Sequence, residues 1–157
     1  MTKRIFRSIC FVAIAVFFAS LVLIMGVLYS YFSDRQMKSL KTETTLCASA
    51  VEKDGLDYLN TVPNGDYRIT WISADGTVLF DNKAKTDKME NHLEREEIRE
   101  ALATGEGEST RRSDTLMEKQ LYFAQKLPDG TVLRLSESYL ALWSLILSML
   151  QPIIVVI

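Results

Sequence analysis

Charge and hydrophobicity divide the chain into three regimes. From Ser8 to Phe32 there is no charged residue, residues 33–138 mix polar and apolar positions, and from Tyr139 to Ile157 charge disappears again. As a helix rising about 1.5 Å per residue, the first stretch can cross a hydrocarbon core of roughly 30 Å. The pattern predicts a short N-terminus (1–7), a transmembrane helix (8–32), a folded block (33–138) and a second transmembrane helix (139–157), part of which is expected to lie past Ile157.

Orientation follows from the flanks. Lys3, Arg4 and Arg7 precede the first span, and Tyr29, Tyr31 and Phe32 occupy its far end, so the N-terminus is expected in the cytoplasm and the block outside. A cleaved signal peptide is the alternative; its apolar core would be shorter and followed by a small-residue cleavage site, which is not evident here. Tyr139 and Trp143 mark the return through the outer interface. Gln151 and Pro152 are tolerable inside a spanning helix. The second span lacks the Lys and Arg cluster of a cytoplasmic end, so an output module is expected beyond it.

Inside the block the periods change. Met37, Leu40, Thr44, Cys47 and Val51 recur every three or four residues and predict a helix to about Tyr58, broken by Asn60, Pro63, Asn64 and Gly65. Two readings of that stripe stay open: a dimer seam, or packing on the domain's own sheet. Strands are predicted at Tyr67–Ser73 and Val78–Phe80, joined by an Asp75-Gly76 turn of type I′. A helix with Leu93, Ile98, Ala101 and Leu102 on one face follows and stops at Thr104-Gly105. Three more strands, Gly107–Arg112, Lys119–Lys126 and Thr131–Glu137, complete the block, the last two joined by Pro128-Asp129-Gly130. The fold class is α+β: a five-stranded antiparallel sheet with a long N-terminal helix and a second short one. That layout resembles the extracytoplasmic PAS-like sensor fold.

Charge and candidate chemistry narrow the function. All 20 Asp and Glu lie after Phe32, as against 15 of the 18 Lys and Arg, so the block is mildly acidic and disfavours nucleic acid, which needs a basic patch. Cys10 falls in the span and Cys47 outside it, which leaves no intrachain disulfide or Cys-rich metal module to expect. His92, the single histidine, suits a pH sensor or metal ligand less than a helix-start residue bonded to local backbone. Glu94, Glu96, Glu97, Glu100, Glu106 and Glu108 are interleaved with Arg95 and Arg99 and read as a solvated face, not a cation site. A ligand pocket would draw on Arg68, Trp71, Tyr122 and Arg134; the competing expectation is a filled core with Trp71 and Phe123 packed and an arginine in solvent. No catalytic or metal-binding residues are predicted.

Several strings carry a family resemblance. The run Met89-Glu90-Asn91-His92-Leu93-Glu94-Arg95-Glu96-Glu97-Ile98, then Glu100-Ala101-Leu102, Gly105-Glu106-Gly107 and Leu121-Tyr122-Phe123-Ala124, resembles the outer sensor domain of bacterial phosphate-regulon-type sensor histidine kinases. The run Asp129-Gly130-Thr131-Val132-Leu133-Arg134-Leu135-Ser136 before the second span continues it. The resemblance implies a homodimer, a cytoplasmic kinase that uses ATP and Mg to phosphorylate a histidine, and transfer to a response regulator. This chain contains no phosphoacceptor segment and no ATP lid, so it would be the sensing and signalling front of such a receptor in a bacterial cell membrane. A chemoreceptor, a cyclic-dinucleotide synthase or a standalone anchored binding protein could use the same front.

Overall fold

The computed structural model describes residues 2–63, 65, 67–112 and 119–138. The predicted second span, 139–157, lies outside the described residues. The chain forms two compact units, Met1–Gln36 and Met37–Ile157. The first is helical, and its large apolar side chains, Phe11, Phe17, Leu23 and Val27 among them, are exposed. Length and composition make this helix a candidate membrane span.

The helix, α1, is assigned from Thr2 to Thr61, with Gly55 in a non-helical conformation (φ 56°, ψ −133°). In the second unit it is followed by β1 (Arg68–Ile72), β2 (Val78–Asp81), a 3-10 turn at Thr86–Lys88, α2 (Glu96–Thr104), β3 (Glu106–Arg112), β4 (Lys119–Lys126) and β5 (Val132–Ser138). The strands form one antiparallel sheet in the order β2-β1-β5-β4-β3. The α+β class and the five strands agree with the sequence expectation. The last strand is therefore the central one, and Val132 to Ser136 are buried on both sides of it.

The first hairpin is built one residue earlier than the sequence suggests, whereas the second uses the expected loop Pro128-Asp129-Gly130. The Gly76 N–H donates to the Ser73 carbonyl at 2.9 Å, and Gly130 to Leu127 at 3.0 Å. The central pairs are thus Ala74-Asp75 and Pro128-Asp129, with a left-handed glycine (φ 85° and 87°) closing each loop. This is the three-residue hairpin rather than type I′. The α2 helix also starts later than expected: Leu93 and Glu94 form a turn before Glu96, and Leu93 is exposed.

Alternation along the strands separates two cores. Ile69, Leu121, Phe123, Leu133 and Leu135 fill one face. Leu40, Thr44, Cys47, Ala48 and Val51 of α1 are buried in the same unit, and Lys41 lies 5.5 Å from the Phe123 ring centroid. The buried Thr44 hydroxyl is satisfied by donating to the Leu40 carbonyl at 2.7 Å. On the opposite face, Ile72, Val78, Ala124 and Val132 pack with Ile98 and Ala101 of α2. That apolar cluster covers only part of its face.

Candidate functional site: a buried charge network beneath α2

The rest of the α2 face is polar. Register places Thr70 of β1 beside Arg134 of β5, and Arg134 beside Ala124 of β4. It also places Tyr122 beside Ser136, and Ser109 of β3 beside Tyr122. From above, α2 lowers Glu97 into this array.

Glu97 is 0 % exposed. It accepts hydrogen bonds from the Ser109 hydroxyl at 2.7 Å and Arg134 Nη1 at 3.2 Å, and is ion-paired with Arg111. Arg134 is 3 % exposed, and its Nη2 donates to Thr70 Oγ1 at 3.2 Å. Thr70 donates to Asp81 at 2.9 Å, and Arg68 Nε reaches the same carboxylate at 2.9 Å. Tyr122 lies under both central arginines, its ring centroid 4.7 Å from the Arg111 guanidinium carbon and 5.4 Å from that of Arg134. The network joins β1, β2, β3, β5 and α2.

Close backbone approach makes this reach possible. A side chain on Gly107, at the start of β3, would meet the Glu97 carbonyl oxygen within clash distance and lie 2.8 Å from the Ala101 nitrogen. The α2 helix rests directly on β3 there. Gly105 ends the helix, its N–H donating to the Ala101 carbonyl at 2.9 Å.

The candidate ligand residues divide between the two faces. Arg68, Tyr122 and Arg134 share the α2 face. Trp71 is on the other face, where its Nε1 donates to Thr131 at 2.9 Å and it borders a groove with Val51, Gly55 and Leu127. The four cannot line one pocket, because adjacent residues of a strand point to opposite sides. The stripe on α1 is placed as well: Leu40, Thr44, Cys47 and Val51 are buried and Met37 half-buried within one protomer. A surface consumed by the protomer's own core is not free to be a dimer seam.

Glu97 corrects the reading of the acidic run. Glu94, Glu96, Glu100, Glu106 and Glu108 are exposed, but Glu97 is the centre of the buried network. Its signal was positional: it precedes Ile98 directly and stands one turn before Ala101. Likewise Arg134, flanked by Leu133 and Leu135, is buried because its strand is central.

His92 is 6 % exposed and held by local backbone: its Nδ1 lies 2.6 Å from the Glu90 carbonyl, and its N–H donates to Gly76 at 2.8 Å. Burial, chiefly, and the guanidiniums of Arg134, Arg95 and Arg68 hold its imidazole below the usual range, although the Glu90 carbonyl opposes them. Burial raises the Glu97 carboxyl, but Ser109, backbone and Arg111 and Arg134 outweigh it, leaving a net depression. Asp81 is depressed for a similar reason: burial is outweighed by Lys83 N–H, Arg68 and Thr70. Burial also lowers the Arg134 guanidinium against the pull of Glu97.

These directions share one sign. A carboxyl depressed in the folded state contributes stability above its unfolded pKa, and this is lost as pH falls through the folded value. A depressed imidazole also takes up its proton more readily when unfolded, so acidification from about pH 6.5 weakens the fold. The urea midpoint of the α+β domain, followed by tryptophan fluorescence, should therefore decrease continuously from pH 7 to pH 4. A midpoint that rises or stays level would contradict the network's charge state. Comparison of the chain with protein-family models and with curated proteins finds no match.

Proposed function

We propose that this chain is the sensing front of a bacterial two-component receptor: an anchor helix carrying a PAS-like domain outside the cell, with a histidine kinase as output. The observation that carries the reading is the uncharged, exposed helical stretch, 8–32, preceding a folded α+β domain in one chain. The second uncharged stretch, 139–157, directly after β5, supports a two-span topology with both ends in the cytoplasm. The helix, hairpin, helix and three-stranded meander on a sheet ordered β2-β1-β5-β4-β3 support the PAS-like identity.

In this reading the domain reports through its two membrane connections, α1 and β5. Arg134 and Thr70 tie β5 to β1, and Glu97 ties β5 to α2, so rearranging the network repositions the strand nearest the second span. A stimulus acts by binding one arrangement better than the other. The homodimer implied by the family resemblance would use a face of α1 other than the buried stripe. ATP, Mg and the response regulator belong to the cytoplasmic part of the parent receptor.

Topology gives the direct test. In a variant with Cys10 and Cys47 replaced by alanine, a membrane-impermeant thiol reagent applied to intact cells should label a cysteine placed at exposed Lys85. A cysteine at Lys3 should react only after permeabilisation. The reverse pattern, or release of the product into the medium, would overturn the reading. Given that topology, a histidine phosphorylated from ATP in the native full-length product separates a kinase from the chemoreceptor and cyclic-dinucleotide alternatives.

A further inference from the structure

The charge network has one donor left over. Arg134 uses Nη1 on Glu97 and Nη2 on Thr70, and among the described residues its buried Nε has no hydrogen-bond partner. Nε and Nη2 together form the side edge of the guanidinium, which grips a carboxylate or phosphate in two parallel bonds. Among the described residues that edge meets only a neutral hydroxyl, at 3.2 Å. Almost every buried polar group in a folded protein is paired, and an exception calls for an explanation such as an absent ion.

Charge points the same way. Three guanidiniums, those of Arg68, Arg111 and Arg134, are tied into the network by two carboxylates, Asp81 and Glu97. One positive charge is in excess among the groups so joined. The His92 imidazole is held below its usual range chiefly by burial, and the guanidiniums of Arg134, Arg95 and Arg68 add to that lowering. Neither Glu97 nor Asp81 can serve the free edge in the observed arrangement, because Glu97 is engaged with Nη1 and Asp81 with Arg68 and Thr70.

We propose that the side edge of Arg134 binds a small oxyanion, a carboxylate or a phosphate, which completes the buried network. The anion takes Nε and Nη2 while Glu97 stays on Nη1, and the excess positive charge is neutralised. The site joins β5 to its neighbour β1, so occupancy favours the arrangement in which both strands are held to Arg134. The proposal deepens the sensing role by naming a stimulus class; the binding itself stands without the kinase assignment and is tested separately from topology.

The full chain, labelled with 15N-arginine and inserted in lipid nanodiscs, can be titrated at pH 7 and constant ionic strength with sodium acetate, sodium phosphate or sodium chloride. One Nε–H resonance, in contact with the Tyr122 ring protons and retained in Arg111→Lys, which removes the other guanidinium stacked on that ring, should shift saturably with an oxyanion and not with chloride. The arm that saturates at the lower concentration identifies the carboxylate or the phosphate source. Arg134→Lys keeps the charge but removes the two-pronged edge, so binding should weaken by about ten- to a hundredfold. If that variant does not fold, the wild-type resonance alone decides. An unresponsive resonance, an equal response to chloride, or a persistent contact with bound water in place of an anion would overturn the proposal.

Discussion

Replacing Glu97 by alanine should cost the α+β domain about 3–5 kcal/mol, the usual penalty for removing one partner of a buried ion pair. Two features place it there. The carboxylate is inaccessible to solvent, and three side chains from two strands converge on it: Ser109, Arg111 and Arg134. Its loss leaves the 3 % exposed Arg134 without a carboxylate partner in the network. Against a typical total stability of about 5–15 kcal/mol, such a loss approaches global unfolding. Glu97→Gln should also be strongly destabilising despite its similar shape, because the guanidinium loses its counter-charge.

The double variant Glu97→Leu with Arg134→Met supplies the contrast. Replacing both buried charges with apolar groups of similar volume is often neutral or stabilising. The double variant should therefore recover most of the loss, and the coupling should appear in a double-mutant cycle of urea midpoints. A Glu97→Ala variant within about 1 kcal/mol of the parent, a value typical of exposed ion pairs, would show that the network is solvated. The recovery would carry its own functional signature: a stable domain without the oxyanion edge of Arg134.

What the sequence disclosed, and what it concealed, follow from the same physics. Tyr67 to Ser73 and Lys119 to Lys126 alternate as strands must, and Thr104-Gly105 stops a helix for reasons local to the chain. Strand order is not local. β5 comes last in sequence but lies third in the sheet, and that position buries Arg134 from both sides. Reading the strand alone allows its charged residue to be assigned to solvent. Glu97 was concealed in the opposite way: its helical position beside Ile98 marked it as inward, but its acidic neighbours suggested a solvated run.

The α1 stripe shows a third kind of limit. Spacings of three and four residues from Met37 to Val51 reveal a buried face, and both competing readings agree on that. Whether the partner is a second copy or the chain's own sheet depends on tertiary contacts. Leu40 and Thr44 are fully covered within one protomer, and Lys41, the residue after Leu40, pairs with Glu106. For the proposed ligand residues, Arg68, Tyr122 and Arg134 share a face because period-two alternation and strand register agree; Trp71 fails by one position, which in a strand means the other face.

Gly107→Ala should destabilise the domain by about 1–3 kcal/mol through overpacking, although alanine is ordinarily the better strand residue by about 0.5–1 kcal/mol. The sign is decided by what the new methyl meets: the Glu97 carbonyl and the Ala101 nitrogen are helix backbone and cannot rotate aside. The α2 helix must lift from β3, carrying the Glu97 carboxylate away from Ser109, Arg111 and Arg134. A second readout separates this effect from general damage. As Glu97 leaves its partners its acidity returns toward the unfolded value, and the difference in stability between pH 7 and pH 4 should shrink. Gly130→Ala is the control, since it has a left-handed backbone but open space around it. It should lower stability through backbone strain and leave the pH dependence intact. If Gly107→Ala weakened the fold with an unchanged pH profile, the seating of α2 on β3 would not be what holds Glu97 among its arginines.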